Sequence, residues 1–365
     1  MNRIGVMHVT DTLEAGGLER VAVNIVNLLP RDRFVAHLCT TRSEGPLAAL
    51  VAPDVVRLHL RRRHRLDLRA LWQFRNYLRK HEIQIVHAHG TSLFISALAA
   101  LQLRQSQVIW HDHFGRSAIA ERPAWLYGLA VARASGVVAV NQPLVEWSRS
   151  RLHVPPDRVW YVPNFVCTPD PDCDIPTLPG VAGARIACVA NLRPQKDHLT
   201  LVRAMGMVVE RVPHAHLLLV GSTTDAEQVR AVRAEISRLR LGLHVSVLGH
   251  RPDVSAILQA CDIGVLSSAS EGLPLALIEY GMAGLPTVAT RVGQCAEVLE
   301  NGQAGILVPP GTPEALAAAL VHLLTSPGQS GRLRERFRRR VRELYTPETG
   351  LQQICRIYAM VAKVA

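Results

Sequence analysis

The feature that most limits what this chain can fold into is its alternation of strand-like and helix-like segments. Short apolar runs at 3–9, 35–39, 83–87, 107–110 and 136–140 recur through the first half. Further runs at 185–190, 216–220, 245–248, 263–267, 286–289 and 305–308 continue the pattern. Between them lie stretches with helical spacing, at 17–29, 68–81, 199–211, 225–239, 254–260 and 313–324. Strands that regularly hand over to helices predict parallel α/β sheets, with binding sites at the carboxyl ends of the strands.

The alternation breaks once. Residues 168–183 are rich in Pro, Asp and Gly, and a new strand begins at Arg185. That is where a chain of 365 residues, too long for one ordinary core, is expected to divide. We therefore expect a first domain over 1–168, a linker over 169–184 and a second domain over 185–345. The linker carries Asp170, Asp172 and Asp174 at alternate positions, a spacing that can hold a metal. With prolines around them and no apolar strand in front, they are expected to be solvated linker acids.

Composition excludes several classes. Hydrophobic residues make up 48% and charged residues 19%, enough apolar surface for packed cores and too little charge for a disordered chain. No apolar run reaches the roughly 18–20 residues needed to span a bilayer, and the N-terminus lacks a signal-peptide core, so a cytoplasmic protein is expected. The seven cysteines are scattered without a CxxC pair and read as reduced, mostly buried thiols. Residues 1–168 hold 21 Lys/Arg against 12 Asp/Glu, while 169–365 hold 20 against 18. The front half thus carries the basic field, suited to an anionic partner such as a membrane surface at the inner face of the cytoplasmic membrane. No nucleic-acid-binding module is present in the sequence, and no nucleic-acid partner is expected. Within residues 57–81, Arg61, Arg62, Arg63, Arg65, Arg69, Arg75, Arg79 and Lys80 surround Leu66, Leu68, Leu71, Trp72, Phe74 and Leu78. Such a helix can lie on an anionic bilayer. The plainer expectation is that Leu68, Leu71, Trp72 and Leu78 pack on the sheet while the arginines face water.

The strongest local signal follows the run at 263–267. Glu271 and Gly272 precede Leu273, Pro274 and Leu275, and a helix is expected to run through Glu279 and stop near Gly284. Its free N–H groups would suit a diphosphate, and two carboxylates two turns apart can reach opposite ends of one nucleotide sugar. The same residues also fit a capped amphipathic helix with two surface glutamates. Elsewhere, His111 and His113 flank Asp112 after a strand, and His87 and His89 form a second strand-end pair. As metal ligands at i, i+2 spacing these are weak candidates, and no metal site is expected.

Glu271-x7-Glu279, set in Glu-Gly-Leu-Pro-Leu, resembles the motif of the large retaining glycosyltransferase family 4 with the GT-B fold. Gly16-Gly17-Leu18-Glu19-Arg20 is similar to that family's glycine loop, and Asn191 to His198 resembles its diphosphate clamp. Leu248 to Val254, with His250 and Arg251, looks like the loop that meets the base, and Val162 to Val166 like the strand end before the interdomain linker. The resemblance covers nearly the whole chain in the expected order. It implies two Rossmann-like parallel-sheet domains facing across a cleft, with a final helix over 346–365 returning to the first.

Further implications concern the reaction. The resemblance implies a metal-independent, cofactor-free hexosyltransferase, moving a sugar from a UDP or GDP sugar to a glycan or lipid-linked acceptor in bacterial surface-polysaccharide synthesis. Glu279 would bind the ribose hydroxyls and Glu271 the transferred sugar, while Arg193 and Lys196 would neutralise the leaving diphosphate. Gly16, Gly17, Asn191, His250, Arg251, Gly272, Leu273, Pro274 and Leu275 would line the donor site. His111, with His113 as the alternative, would lie over the donor sugar, and His87 and His89 would shape the acceptor side. This chain departs from the family in having Asn191 two positions before Arg193 where the usual arginine stands, and in Gly293-Gln294 where many relatives have paired glycines. Alternatives are a GT-B-like nucleotide-sugar epimerase and a non-catalytic partner of a polysaccharide assembly complex. A dinucleotide-binding oxidoreductase is disfavoured, because no G-x-G-x-x-G follows the first strand.

Overall fold

The computed structural model describes residues 3–101, 103, 105–113, 122–166 and 174–362. Asp170 and Asp172, like Cys167 and Cys173, lie outside the described residues; Asp174 is exposed. The chain forms two compact units, Met1–Phe165 with Pro347–Ala365, and Val166–Thr346.

The first unit opens with β1 (Ile4–Thr10), α1 (Gly17–Leu28), β2 (Phe34–Thr40), β3 (Val56–His59) and α2 (Leu68–Lys80). It continues with β4 (Ile83–His89), α3 (Leu93–Ala100), β5 (Gln107–Asp112), α4 (Ala124–Val131), β6 (Gly136–Ala139), α5 (Gln142–Ser150) and β7 (Val159–Tyr161). The second unit holds β8 (Arg185–Val189), α6 (His198–Arg211), β9 (His216–Val220), α7 (Ala226–Arg238), β10 (Val245–Gly249) and α8 (Val254–Gln259). There follow β11 (Ile263–Leu266), α9 (Leu275–Ala283), β12 (Thr287–Thr290), α10 (Cys295–Val298), β13 (Ile306–Val308), α11 (Pro313–Thr325) and α12 (Pro327–Leu344). The last helix, α13 (Pro347–Ala362), belongs to the first unit.

Both sheets are parallel throughout, as the strand–helix alternation requires. The first has order β3-β2-β1-β4-β5-β6-β7 and the second β10-β9-β8-β11-β12-β13. In each, the strand order reverses at one place, between β1 and β4 and between β8 and β11. Connections there leave to opposite faces and open a crevice at the carboxyl ends. The described cysteines, at 39, 188, 261, 295 and 355, are free and buried.

The residues that set α9 in place are local and specific. The Tyr280 hydroxyl accepts from the Val189 N–H at 2.7 Å and donates to the Val265 carbonyl at 3.1 Å, tying the helix to the ends of β8 and β11. Gly264 makes room for the tyrosine, since a Cβ there would sit 2.6 Å from its ring. Gly284 ends the helix in the left-handed region at φ +73°.

Helix α2 departs from the plainer sequence expectation. Ala70, Phe74 and Leu78 are buried four residues apart, and Leu71 packs beside them, but Leu68 and Trp72 are 74% and 68% exposed. At about 100° per residue, Leu68 and Trp72 fall on the opposite side from that stripe, with Arg75 and Arg79. The arginine-rich helix α12 also has a buried side and paired arginines. Phe337 and Val341 are buried, Arg336 pairs with Glu300 at 2.7 Å, and Arg340 donates to the Glu297 and Val298 carbonyls.

Substituting Gly264→Ala is expected to destabilise the fold by about 1–3 kcal/mol through overpacking against Tyr280. Chemical denaturation measures this, and an unchanged midpoint would contradict the packing described.

Candidate active site

The loops leaving β8 and β11 at the reversal of the second sheet carry the charged centre. After β8, Asn191 accepts at Oδ1 from the Ser222 N–H at 2.8 Å and fixes the loop to the end of β9. A tight turn over Pro194–Lys196 then leads to Asp197, left-handed at φ +46°, which caps α6 by accepting from the Thr200 N–H. That turn aims Lys196 across to the β11 loop. Its Nζ lies 2.5 Å from Glu271 Oε1, the same oxygen that accepts from the Ser268 hydroxyl at 2.6 Å. The backbones are stitched as well: Ala269 N–H donates to the Gln195 carbonyl and the Ser267 hydroxyl to the Lys196 carbonyl.

Glu271 leads directly into α9. Gly272 and the buried Leu273 connect it to Pro274, which stands at the N-cap, one position before the helix begins at Leu275. The first-turn N–H groups of that helix point back toward the Glu271 loop, the arrangement that binds anions. Glu279 lies one turn farther, about 6 Å along the axis from Leu275, on the partly exposed side that it shares with Leu275 and Ala276. Gly293, at φ +51°, packs on this loop: a Cβ would approach the Glu271 carbonyl oxygen to 2.3 Å. Its neighbour Gln294 donates its N–H to the Gly272 carbonyl and its Nε2 to Glu297. The departure at Gly293-Gln294 thus keeps the glycine where the close approach requires it.

Other donor-side candidates stand apart. Arg193 is exposed and makes no ion pair among the described residues. Arg251 pairs with Asp253 at 2.7 Å, and His250 is exposed; both follow β10, two strands from β8, about 10 Å across the sheet. His198, behind Lys196, is fully buried, and burial, reinforced by the Lys196 charge, pushes its pKa down to about 4.

The first unit places a second cluster at its own reversal. Gly16 caps α1 in extended conformation and Gly17 begins it. His8 on β1, His87 and His89 on β4, His111 on β5 and His113 just beyond share one face. Helix α13 contributes Tyr358 to the same face. The rings stack in sequence, His111 on His113 at 4.0 Å and His87 on His89 at 4.6 Å between centroids. Burial drives the pKa of His8 and His113 down to about 3 and those of His87, His89 and His111 well below 6.5, so all five are neutral. Two histidine triplets, His8 with His87 and His89, and His89 with His111 and His113, have ligand atoms within 4.8 Å of one another, close enough to hold a metal ion. In their present arrangement these nitrogens are hydrogen-bonded to each other at 2.9–3.0 Å. Asp112 takes no part, being held by Arg122 at 2.7 and 2.9 Å. His8, Tyr358 and Tyr280 were not singled out by motif; the signal for His8 would have been its place on the strand beside β4.

Two Rossmann-like units, each with its polar cluster at a sheet reversal, define the class of protein. The family described as Glycosyltransferase Family 4 matches residues 15–168, and Glycosyl transferases group 1 matches 183–326. An Escherichia coli UDP-Gal:alpha-D-GlcNAc-diphosphoundecaprenol alpha-1,3-galactosyltransferase is 25% identical, with 88% of each chain covered. A Mycobacterium tuberculosis phosphatidyl-myo-inositol mannosyltransferase is 32% identical over 46% of this chain and 45% of its own. The structure of Anabaena HepE in complex with UDP and glucose superposes with a TM-score of 0.82 at 19% identity, covering 98% of this chain and 100% of that one. The chain belongs to the family 4 glycosyltransferases and has the GT-B fold; it is a transferase enzyme.

The neutral histidines give a pH dependence with a definite sign. Unfolding frees them to protonate near their ordinary value of 6.5, whereas in the folded chain His8 and His113 resist to about 3 and His198 to about 4. Their stabilisation is complete above 6.5 and is lost as pH falls toward 4, by up to about 1.4 kcal/mol per histidine per pH unit. Denaturation at pH 7.5 and 5.0 is expected to show lower stability at 5.0; equal stability would contradict the neutral cluster.

Proposed function

We propose that this glycosyltransferase is a retaining, metal-independent enzyme that takes a UDP or GDP hexose as donor and a lipid-linked or glycan acceptor in bacterial surface-polysaccharide synthesis. The observation that carries the reading is the Lys196–Glu271 pair at the open N-terminus of α9, with Glu279 on the next turn. In this reading the diphosphate lies against the α9 N–H groups and Lys196, whose charge offsets that developing on the leaving group. Glu271 then meets the hydroxyls of the transferred sugar and Glu279 those of the ribose. Arg193, exposed on the turn before Lys196, reaches the phosphates only when they are present. His250 and Arg251 line the base end. On the first unit we propose Gly16, Gly17 and His111 as donor-contacting residues and His87, His89 and His113 as acceptor-side residues.

The names of the relatives support the donor and acceptor classes: one is a UDP-galactose enzyme with a diphosphoundecaprenol acceptor, another a phosphatidylinositol mannosyltransferase. A lipid acceptor agrees with the surface of α2, α3 and α4, neighbouring helices that expose Leu68, Trp72, Leu98, Trp125 and Leu129, with Leu66 exposed just before α2. Arg61, Arg63, Arg65 and Arg69 are exposed beside them. Among the described residues no helix is long and apolar enough to cross a membrane. We propose instead that this basic, aromatic face rests on the anionic inner surface of the cytoplasmic membrane.

Acceptor-dependent release of nucleoside diphosphate from a panel of UDP and GDP sugars tests the activity. Lys196→Ala is expected to remove most turnover, about 100-fold or more, and Glu279→Ala mainly to raise the donor KM. Wild-type rates in both would defeat the site assignment, and loss of activity in excess EDTA would defeat the metal-free mechanism. For the membrane face, Trp72→Ser with Trp125→Ser is expected to release the protein from sedimenting phosphatidylglycerol vesicles; undiminished binding would rule that face out.

A further inference from the structure

The five histidines and Tyr358 form one unbranched hydrogen-bonded chain. His111 Nδ1 meets His87 Nε2 at 3.0 Å, and His87 Nδ1 meets the Tyr358 hydroxyl at 2.5 Å. The same hydroxyl meets His8 Nε2 at 3.0 Å, His8 Nδ1 meets His89 Nε2 at 3.0 Å, and His89 Nδ1 meets His113 Nε2 at 2.9 Å. The two ends of the row are His111 Nε2, buried without a hydrogen-bond partner among the described residues, and His113 Nδ1, on the ring that the Asn164 side chain bonds.

Proton counting constrains this chain. Five neutral imidazoles bring one N–H each and the tyrosine one O–H, so six protons serve five contacts. Two N–H groups cannot face each other, nor can two bare lone pairs, so each contact holds one proton. The sixth must sit at an end, on His111 Nε2 or on His113 Nδ1. Choosing the end orients every donor in between. With His113 Nε2 engaged by His89, the side-chain hydrogen bond between Asn164 and the His113 ring falls at this end and favours the proton there.

We infer that the chain is polarised toward His113, so that His111 is held as its Nδ1–H tautomer with a bare Nε2, and that Tyr358 is the positioning residue that transmits this order. Tyr358 accepts from His87 Nδ1 and donates to His8 Nε2, which makes the C-terminal helix the hub of the chain. The tautomer of a histidine is set by the bond its other nitrogen makes, and here that bond is five links removed from its cause. A bare, neutral Nε2 accepts a hydrogen bond from a sugar or polyol hydroxyl and offers no donor to a phosphate oxygen. The chemical use rests on the transferase reading given above; the tautomer does not.

The test uses the full chain labelled with 15N-histidine, in two-bond 1H–15N correlation spectra at pH 7.5. The His111 signals are those lost in His111→Gln. The wild-type protein is expected to show His111 as the Nδ1–H form. Tyr358→Phe keeps the ring but removes the hub, and is expected to move the His111 resonances toward the Nε2–H form or an averaged position. An Nε2–H tautomer for His111 in the wild type overturns the inference, and so does a His111 spectrum unmoved in a folded Tyr358→Phe. If that variant does not fold, the wild-type spectrum alone decides. Because no transfer is measured, a failed tautomer and a failed activity assignment are told apart.

Discussion

Lys196 and Glu271 meet across the place where the second sheet reverses its strand order, and the rest of the donor-side reading hangs on that meeting. One residue comes from the loop after β8 and the other from the loop after β11, strands that are neighbours in space and far apart in sequence. The lysine side chain is 23% exposed and the glutamate 9%, so the pair is partly withdrawn from water, where a charge-assisted hydrogen bond is strong. Ser268 holds the carboxylate from below, Asp197 turns the backbone so that Lys196 projects, and Tyr280 locks α9 beneath both. Under the proposed donor reading, a diphosphate arriving at the helix end would meet a cation already positioned.

The two units solve their electrostatic problem in opposite ways. In the second, opposite charges neutralise each other at the mouth of a helix whose dipole favours an anion. In the first, burial removes charge altogether, and five imidazoles survive as neutral groups because each satisfies its neighbour. Breaking any link in that row leaves a buried polar nitrogen without a partner, which is costly. The same sheet architecture thus presents a charged surface in one unit and a neutral, directional one in the other.

How much of this was legible in the sequence depended on distance along the chain. Helix α9 could be read from Pro274, Gly284 and the two glutamates, all within one local segment, and the β8 start at Arg185 from the composition break before it. The family resemblance gave Lys196 and Glu271 separate roles at the donor site, but their contact across 75 residues is seen only in the structure, because spacing alone does not say which strands are neighbours. The histidine pairs were visible as pairs, but the chain through His8 and Tyr358 needs the order β1-β4-β5 and a helix from the far terminus. On α2, the apolar residues were counted correctly and assigned to the wrong face for Leu68 and Trp72. An inward stripe of Ala70, Phe74 and Leu78 is as regular as the one expected, and only packing against the sheet chooses between them.

The central claim, that Lys196 and the α9 N-terminus together form a diphosphate site, is tested most directly by calorimetric binding of UDP and UMP to the full chain and to Lys196→Ala. The account predicts that the wild-type protein binds UDP well above UMP, and that most of this preference disappears in Lys196→Ala while UMP binding changes little. An unchanged UDP preference in the variant, or no preference in the wild type, would contradict it.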